Sequence, residues 1–250
     1  EGRLEMIIPD GQRPGADGVY ESAASSRLGR RRTRAAVGVV GLAAVLGAAA
    51  CDKKSAPAAT SVPTAANPAL ISPEKAVDKA PEVFKAKFTT TKGDIVVSVQ
   101  REWSPNGADR FYNLVKIGYY DDTAFFRVIN GFMAQVGIHG DPLVSAKWRG
   151  ANIQDDKPAL SNKPGTVCFA MGGPNTRTTQ IFFSIGDNSF LDGQGFSAFG
   201  KVVEGGAVIP ELYNGYGDSA VDQGRFQMEG NAYAKTFPKL DYIKTARIIP

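Results

Sequence analysis

The 250-residue chain carries 29 basic side chains, 25 acidic side chains and one histidine. Eleven of the bases and eight of the acids lie in residues 1–81, which leaves 18 bases and 17 acids for residues 82–250. This near-neutral part of the chain lacks the basic surface that phosphate contacts require, and this argues against nucleic acid as a partner. The composition changes near residue 81, so we expect one folded domain after that point.

The first segment, residues 1–26, is polar and irregular, and we assign it no function. An export signal ordinarily begins close to its arginines, and the arginine cluster here starts at Arg27. We therefore expect translation to start downstream of Glu1, near Val19 or Leu28, so that residues 1–26 are an irregular extension that is untranslated up to that start.

Residues 27–51 have the composition of a bacterial export signal. Five arginines precede an uncharged run over residues 35–50, and the run ends in small residues before Cys51. A charged start, an apolar middle and a small-residue end are the parts of such a signal. The run is rich in Ala and Gly, and it is shorter than the roughly twenty strongly apolar residues that a membrane-spanning helix needs. We predict a signal for export rather than a permanent membrane helix.

Two processing fates meet at Cys51. The small residues 48–50 form an A-x-A cleavage site, and together with Cys51 they resemble a lipobox, although Leu46 lies five positions before the cysteine instead of three. We favour lipidation of Cys51, which would tether the mature protein to a membrane of the cell envelope through its acyl chains. The alternative is a cleaved, soluble periplasmic protein with a spare thiol.

Residues 52–81 are rich in Ala, Pro, Ser and Thr. Such a composition buries too little apolar surface to offset the entropy of ordering, so we predict a flexible linker between anchor and domain. If Cys51 is acylated, Cys168 has no disulfide partner. Within "TVCFAM" Cys168 alternates with apolar residues, which predicts a small, buried side chain.

From Phe84 onward the apolar residues recur with the period of two that is typical of β-strands. Phe84, Ala86 and Phe88 share one face, and after a turn at Gly93 the alternation resumes at Ile95, which predicts a hairpin. Further strands are predicted over residues 124–130, 132–138, 166–171, 180–185, 198–203 and 242–249. Eight short strands in one domain favour a closed barrel or a sandwich.

One stretch breaks this period. Ser104 is suited to a helix N-cap, Pro105 to the first helical position and Gly118 to a stop, with apolar residues at helical spacing between them. This pattern predicts one amphipathic helix. A second helix is predicted to begin within residues 204–218, where Pro210 restricts its start.

Several familiar kinds of site do not match this sequence on chemical grounds. His139 lies in the loop-like sequence "GIHGDP" with no second histidine for a triad or a metal pair, so we predict a solvated loop residue. The sequence "GGPNTRT" at residues 172–178 lacks the Gly-Lys-Ser/Thr ending of a phosphate loop, so we predict a long turn. The acidic pairs at residues 121–122 and 155–156 are predicted to lie in solvated loops.

The stretch "FFRVINGFMAQVG", residues 125–137, places an arginine among aromatic residues without an acid, a histidine or a cysteine. On a strand, Arg127 faces the same side as Phe125 and Ile129, and a turn at Gly131 follows. A lone arginine in such a strand is more often an edge residue whose aliphatic stem covers apolar neighbours. Its function must therefore be judged from the residues around it.

Three blocks of sequence resemble, in the same order, the motifs of one known family. They are "FFRVINGFMAQVG" at residues 125–137, "AMGGPNTRTTQIFF" at residues 170–183 and "SFLDGQGFSAFGKVVEG" at residues 189–205. On these blocks residues 84–250 are similar to the cyclophilins, which are peptidyl-prolyl cis-trans isomerases. The resemblance implies a mainly β fold, a closed eight-stranded antiparallel β-barrel capped by two α-helices, which agrees with the strand count.

The resemblance also implies an active site on the outer surface of the barrel. The catalytic residues of the family fall on Arg127 and Gln135. Its substrate-binding residues fall on Phe132, Met133, Ala170, Gln180, Phe182, Phe190, Leu191 and Phe196. Such an enzyme stabilises the twisted amide of an X-Pro bond through hydrogen bonding and positioning, and it implies no cofactor, no metal and no nucleophile.

The sequence departs from the family pattern near this site. Met171 replaces an asparagine, Phe190 replaces a tryptophan, and Phe196 replaces a histidine after an extra residue at Gly195. Phe126 replaces the histidine that precedes the arginine in many members. The arginine itself is retained, so we expect isomerase activity with an altered peptide preference and weak cyclosporin binding.

We predict a monomeric peptidyl-prolyl cis-trans isomerase that accelerates X-Pro bond rotation in exported or envelope proteins, with proline-containing polypeptides as its partners. An alternative is a chaperone module that binds proline peptides with little or no turnover. A lipocalin-like carrier of small molecules shares the barrel but requires a hollow interior.

Overall fold

The computed structural model describes residues 67–250. Residues 1–26, the predicted export signal with Cys51 and residues 52–66 of the predicted linker lie outside the described residues. Within residues 67–250, every helix falls short of the length or the apolarity that crossing a bilayer requires.

One antiparallel sheet forms the body of the domain. Its nine strands are β1 (Val83–Thr90), β2 (Asp94–Gln100), β3 (Thr123–Ala124), β4 (Arg127–Ile129), β5 (Met133–Val136), β6 (Thr166–Phe169), β7 (Ile181–Ser184), β8 (Ala198–Glu204) and β9 (Tyr242–Ile249). They are hydrogen-bonded in the order β3-β9-β1-β2-β8-β6-β7-β5-β4. Each predicted strand segment contains one or two of these strands, which confirms the mainly β fold.

The two edge strands of the sheet, β3 and β4, are consecutive in the chain and are separated only by Phe125 and Phe126. The sheet must therefore curl so that its two edge strands come close together in space, because only two residues connect them. The ring of strands is joined at this point by the backbone itself and not by a ladder of hydrogen bonds. The prediction treated residues 124–130 as one strand, which accounts for eight predicted strands against nine observed.

Alternation along the strands sends side chains into two separate apolar clusters. Ala134 and Val136 of β5 and Phe183 of β7 belong to the main core inside the curled sheet. Met133 and Phe182, their neighbours along the same strands, belong to a second cluster on the outer face. Both faces of these strands are thus buried.

Aromatic side chains fill the interior of the curled sheet. The ring centroid of Phe111 lies 4.7 Å from that of Phe199 and 6.0 Å from that of Phe88, and Phe88 also lies 5.8 Å from Phe183. All four side chains are fully buried. A packed interior of this kind excludes the lipocalin-like carrier, which needs an open cavity in the same place.

Four α-helices flank the sheet within the described residues: α1 (Pro105–Lys116), α2 (Pro142–Trp148), α3 (Gln223–Glu229) and α4 (Asn231–Ala234). The predicted helix α1 is confirmed, with Pro105 in its first turn and Gly118 at a positive φ of 78° just after its end. In place of the predicted second helix the structure has a 3₁₀ helix at Gly206–Glu211. The short helices α2, α3 and α4 were not predicted.

The start of α1 is capped by an acid from a distant loop. Ser104 occupies the N-cap position, but its hydroxyl donates a hydrogen bond of 2.6 Å to Asp156. The same carboxylate accepts hydrogen bonds from the backbone N–H groups of Asn106 and Gly107 at 3.0 and 2.9 Å. An anion is favourable at this position because the helix dipole places partial positive charge there.

The prediction that the acids at residues 155–156 lie in a solvated loop is wrong. Both bind the buried guanidinium of Arg177, with Asp155 3.2 Å from its Nε and Asp156 3.1 Å from its Nη2. A buried guanidinium requires partners of opposite charge, and Arg177 comes from the long turn that was predicted at residues 172–178. Sequence neighbours can share one partner when that partner approaches from another loop.

The prediction of a solvated His139 is also wrong. Its ring is half-buried and packs 5.2 Å from the ring of Tyr119. Its Nδ1 accepts a hydrogen bond of 2.9 Å from the backbone N–H of Asp141, the N-cap residue of α2. The histidine therefore helps to fix the start of this helix.

Residues 67–81 form an N-terminal strap that packs against the domain, so the predicted linker does not extend to residue 81. Ala69, Ala76 and Ala80 are buried in the main core. The indole N–H of Trp148 donates a hydrogen bond of 2.9 Å to the carbonyl oxygen of Leu70. The alanine-rich composition predicts a linker, but these small side chains are buried in the folded domain.

Candidate active site

Three neighbouring strands place an arginine and a glutamine in one row on the outer face of the sheet. Arg127 of β4 is paired with Gln135 of β5, and Gln135 is paired with Phe182 of β7. Residues that are paired across an antiparallel ladder project to the same side. Gln180 precedes β7 by one residue and extends the row. The sheet register thus brings together residues that are far apart in the sequence.

A chain of side-chain hydrogen bonds runs along this row. Arg127 Nη1 donates to Gln135 Oε1 at 3.0 Å, and Gln135 Nε2 donates to Gln180 Oε1 at 2.8 Å. Because the arginine can only donate, Gln135 must turn its oxygen to Arg127 and its NH₂ group to Gln180. All three residues are buried, so the orientation of each is set by the next.

A fourth polar residue completes the row. Asp218 Oδ1 accepts a hydrogen bond of 2.5 Å from Arg127 Nε. The arginine side chain is only 6% exposed, whereas that of Asp218 is 46% exposed. A guanidinium carries five N–H donors. With Nε on Asp218 and one Nη1 hydrogen on Gln135, the Nη2 group has no hydrogen-bond partner among the described residues.

Beside the arginine lies an apolar cup, the second cluster of the fold. The ring of Phe132 lies 5.9 Å from the guanidinium carbon of Arg127 and stacks on Phe190 with ring centroids 6.0 Å apart. Phe182 and Phe196 meet edge to face at 6.1 Å. The buried members of the cup are Phe132, Met133, Cys168, Met171, Phe182, Leu191, Phe196 and Ala198.

The turn that carries Phe132 is held rigidly. Its carbonyl oxygen accepts hydrogen bonds from the backbone N–H groups of Ile185 and Gly186 and from the side chain of Asn188, at 2.8, 3.1 and 2.9 Å. Gly186 approaches the Gly131 carbonyl so closely that a Cβ atom would collide with it. A glycine is therefore required where the two turns meet.

The structure groups the predicted site residues in one region. Arg127, Gln135 and Gln180 form the polar row, and Phe132, Met133, Phe182, Leu191 and Phe196 lie in the cup. The remaining two residues, Ala170 and Phe190, are half-buried and pack against the cup. The roles of these residues in catalysis and binding stay predictions.

A comparison with family models explains this arrangement. The model described as "Cyclophilin type peptidyl-prolyl cis-trans isomerase/CLD" matches residues 85–229. The chain belongs to this family. Beyond the matched residues, the cyclophilin domain also includes β9, which pairs with β1 and β3.

Curated relatives agree with this assignment, and a solved structure shares the fold. Peptidyl-prolyl cis-trans isomerase B of Escherichia coli is 33% identical over 134 residues, which are 50% of this chain and 81% of that protein. Peptidyl-prolyl cis-trans isomerase ppi1 of Schizosaccharomyces pombe is 34% identical over 133 residues, 50% of this chain and 83% of that protein. The larger cyp15 of Rhizopus delemar is 35% identical over 130 residues, 51% of this chain and only 20% of its own length. A cyclophilin crystal structure from Cryptosporidium parvum superposes with a TM-score of 0.52 at 23% identity, covering 67% of this chain and 98% of that one.

In the cyclophilin domain the turn before Gln180 is held by two arginines, the buried Arg177 and the half-buried Arg110. Arg177 binds the acids at residues 155–156, and Arg110 Nη1 donates a hydrogen bond of 3.0 Å to the carbonyl oxygen of Thr178. Burial lowers the pKa of Arg110 to about 10, which still leaves the side chain charged at neutral pH. These contacts fix the backbone that delivers Gln180 to the row.

Sequence reasoning missed the support of the opposite wall of the cup. Asn162 is fully buried and donates a hydrogen bond of 2.9 Å to the carbonyl oxygen of Phe196. Asp192 accepts hydrogen bonds from the Ser161 hydroxyl and from the backbone and side chain of Asn162. Burial opposes ionisation of Asp192, but these hydrogen bonds outweigh it and lower its pKa. A lone asparagine in a loop gives no sequence indication of this role.

Cys168 lies beneath the cup, as its alternation with apolar residues predicts. The side chain is fully buried in the second cluster, and burial raises the pKa of its thiol well above the usual value. A thiol that stays protonated is a poor nucleophile. Cys168 therefore contributes packing to the floor of the cup.

Proposed function

We propose that the cyclophilin domain catalyses cis-trans rotation about X-Pro bonds in polypeptides. The observation that carries this proposal is a clamped guanidinium at the edge of an apolar cup. Arg127 is held through Nε and Nη1, and its Nη2 group is left to donate to a substrate.

The chemistry needs little more than such a donor. Amide resonance sets a rotation barrier of about 18–20 kcal/mol, and uncatalysed X-Pro rotation takes tens to hundreds of seconds. In the twisted transition state the proline nitrogen regains its lone pair and becomes a hydrogen-bond acceptor. A fixed donor aimed at that nitrogen stabilises the transition state more than the planar ground state. Arg127 would supply this donor.

The remaining residues would hold the substrate in place. The proline ring is apolar and matches the cup formed by Phe132, Met133, Phe182 and Leu191. Gln135 would keep the guanidinium plane fixed, because its side-chain oxygen is already bound to Arg127. Catalysis would then consist of positioning and electrostatic stabilisation, without bond making or breaking.

The test is the exchange rate of a short X-Pro peptide, measured by NMR with the full chain. We expect Arg127→Ala to lower kcat/KM by roughly 10²–10³-fold, the usual effect of removing one preorganised donor. Arg225→Ala is the matched control, because Arg225 is an exposed arginine paired with Glu229 on α3. Full activity in Arg127→Ala, with Arg225→Ala equally active, would overturn the proposal.

A second candidate function is a proline-peptide-binding chaperone module. The departures at Met171, Phe190 and Phe196 favour it, because all three side chains line or border the cup and make it more apolar than the family pattern. An apolar cup retains a proline ring but offers fewer polar contacts for the flanking peptide. Binding of the peptide without accelerated exchange in the wild-type protein would select this function over the isomerase.

We further propose that the domain acts on exported or envelope proteins from a lipid anchor at Cys51. The support is the sequence of residues 27–51, with its arginines, apolar run and small residues before the cysteine. The test is expression of the full chain in bacteria with a labelled fatty acid. We expect label in the wild type and in Cys168→Ser, whose thiol is buried, and none in Cys51→Ser. Release of unlabelled wild-type protein from the periplasm would select the soluble alternative.

A further inference from the structure

Asp218 is the feature of the site that neither sequence motifs nor the isomerase mechanism assigns. It comes from the segment "YNGYGDSAVD" at residues 213–222, 91 positions after Arg127, and its carboxylate accepts a hydrogen bond from Arg127 Nε. We infer that Asp218 is a positioning residue that sets the plane of the Arg127 guanidinium for catalysis. This inference rests on the proposed isomerase function.

The segment is fixed on the side that precedes Asp218. The ring of Tyr216 packs edge to face on Tyr213 at 4.9 Å and on Phe237 at 5.2 Å. The Tyr216 hydroxyl also accepts a hydrogen bond of 3.3 Å from the backbone N–H of Lys239. Gly217 then takes a positive φ of 60°, which turns the chain toward the arginine.

The segment is fixed on the following side as well. Val221 is buried in a third apolar cluster that also contains Phe126, the residue directly before Arg127. The Phe126 ring lies 6.0 Å from that of Phe226 in the same cluster. One cluster therefore anchors both the backbone of the arginine and the loop of the aspartate. The distance between the Arg127 and Asp218 side chains is therefore set by packing in this cluster.

Two contacts at different edges define the orientation of a planar guanidinium. Gln135 alone would hold Nη1 and would still let the group swing about this single bond. Asp218 adds a second contact at Nε, so the plane is fixed, while Nη2 makes no hydrogen bond within residues 67–250. The residue thus leaves one defined donor group for the substrate.

Asp218 also supplies the counter-charge of a buried cation. Of the carboxylates in residues 67–250, only that of Asp218 forms an ion pair with Arg127. A guanidinium that is only 6% exposed is costly to bury without such a partner. The carboxylate itself is half-exposed, so its own burial costs little.

The test compares Asp218→Ala and Asp218→Asn with the wild-type full chain on the same X-Pro peptide. Asparagine keeps an oxygen that accepts from Nε, whereas alanine removes the contact. We expect Asp218→Ala to lower kcat about tenfold or more with less than a twofold change in KM, because a small misplacement of a catalytic group is costly. We expect Asp218→Asn to retain at least one third of kcat. Ser219→Ala, an exposed neighbour, is the matched control and should keep the wild-type kcat.

A second readout follows the contact itself. The ¹⁵N–¹H signal of Arg127 Nε should shift in Asp218→Ala and stay closer to wild type in Asp218→Asn. An unchanged kcat in Asp218→Ala, or an equal loss in both variants, would overturn the positioning role. If the wild-type protein does not accelerate exchange at all, the isomerase function fails instead, and this signal still reports whether Asp218 holds the arginine.

Discussion

Gln135 and Gln180 are joined by a hydrogen bond of 2.8 Å in which Gln135 donates and Gln180 accepts. Because Gln135 also accepts from Arg127, its amide is fixed between a partner that can only donate and a partner that here accepts. The orientation of the guanidinium thus depends on a residue two strands away.

Gln135→Leu should therefore impair catalysis while leaving the side chains of the apolar cup unchanged. The substitution leaves the Arg127 Nη1 group and the Gln180 side chain without their partners, and a buried polar group left unpaired costs about 1–3 kcal/mol. We expect a lower free energy of unfolding by that amount and a fall in kcat of at least tenfold. Urea denaturation and peptide exchange measure the two effects. A variant with wild-type kcat would show that the glutamine does not orient the arginine.

Trp148→Phe should weaken the attachment of the strap and leave catalysis intact. Phenylalanine keeps most of the ring packing but removes the N–H that binds the Leu70 carbonyl oxygen. A hydrogen bond of this kind contributes about 0.5–1.5 kcal/mol to stability. We expect the free energy of unfolding to fall by that amount, measured by urea denaturation. Trp103→Phe, at the other tryptophan, is the control and should change stability less, because its ring is half-exposed.

His139 should make stability depend on pH. Burial lowers its pKa below the ordinary value of 6.5, and protonation would also remove the acceptor that binds the Asp141 N–H. Below pH 6.5 the unfolded chain therefore binds more protons than the folded one. The contribution of His139 should be constant above about pH 7, and stability should fall as the pH drops through its folded-state pKa.

The contribution of His139 can be separated because the chain has no other histidine. His139→Asn keeps a polar atom that can accept the Asp141 N–H bond but does not titrate in this range. Unfolding free energies measured from pH 5 to 8 should decrease more steeply toward acid in the wild type than in this variant. Parallel curves for the two proteins would contradict the prediction.

Phe190→Trp should strengthen cyclosporin binding. Phe190 is half-buried at the edge of the cup and stacks on Phe132, so a larger ring can extend toward solvent. The indole adds the N–H donor that the family pattern has at this position, and one such hydrogen bond of 0.5–1.5 kcal/mol corresponds to about a two- to tenfold lower Kd. Isothermal titration of the two proteins measures the difference. An unchanged Kd would show that another departure, such as Phe196, limits binding.

The sequence allowed most of the sheet to be predicted, because strand periodicity is a local property. Phe84, Ala86 and Phe88 alternate in β1 as they alternate in the sequence, and all three are buried. The break between β3 and β4 was not visible, since Phe125 and Phe126 are as apolar as the strand residues on either side. Short helices such as α2 depend on tertiary packing, which local propensity does not report.

The candidate site was predictable only where it coincides with motifs. Arg127, Gln135 and, apart from Cys168, the buried residues of the cup lie in the three blocks that resemble the family. Asp218 lies outside them, in a segment of Gly, Asn and Tyr that reads as an ordinary loop. Its contact with Arg127 depends on where the folded chain places residues 213–222, and no spacing rule in the sequence encodes that.

The edge strands β3 and β4 meet at a seam that only the backbone of Phe125 and Phe126 closes, and this affects how the newly made chain folds. On one side of the seam β3 pairs only with β9, which is synthesised more than a hundred residues after Arg127. Until β9 has emerged and docked, that edge has no neighbour and the arginine strand is anchored from one side alone. A chain of this topology completes the surroundings of Arg127 late in its own synthesis, so a partly synthesised copy would not yet carry the finished site.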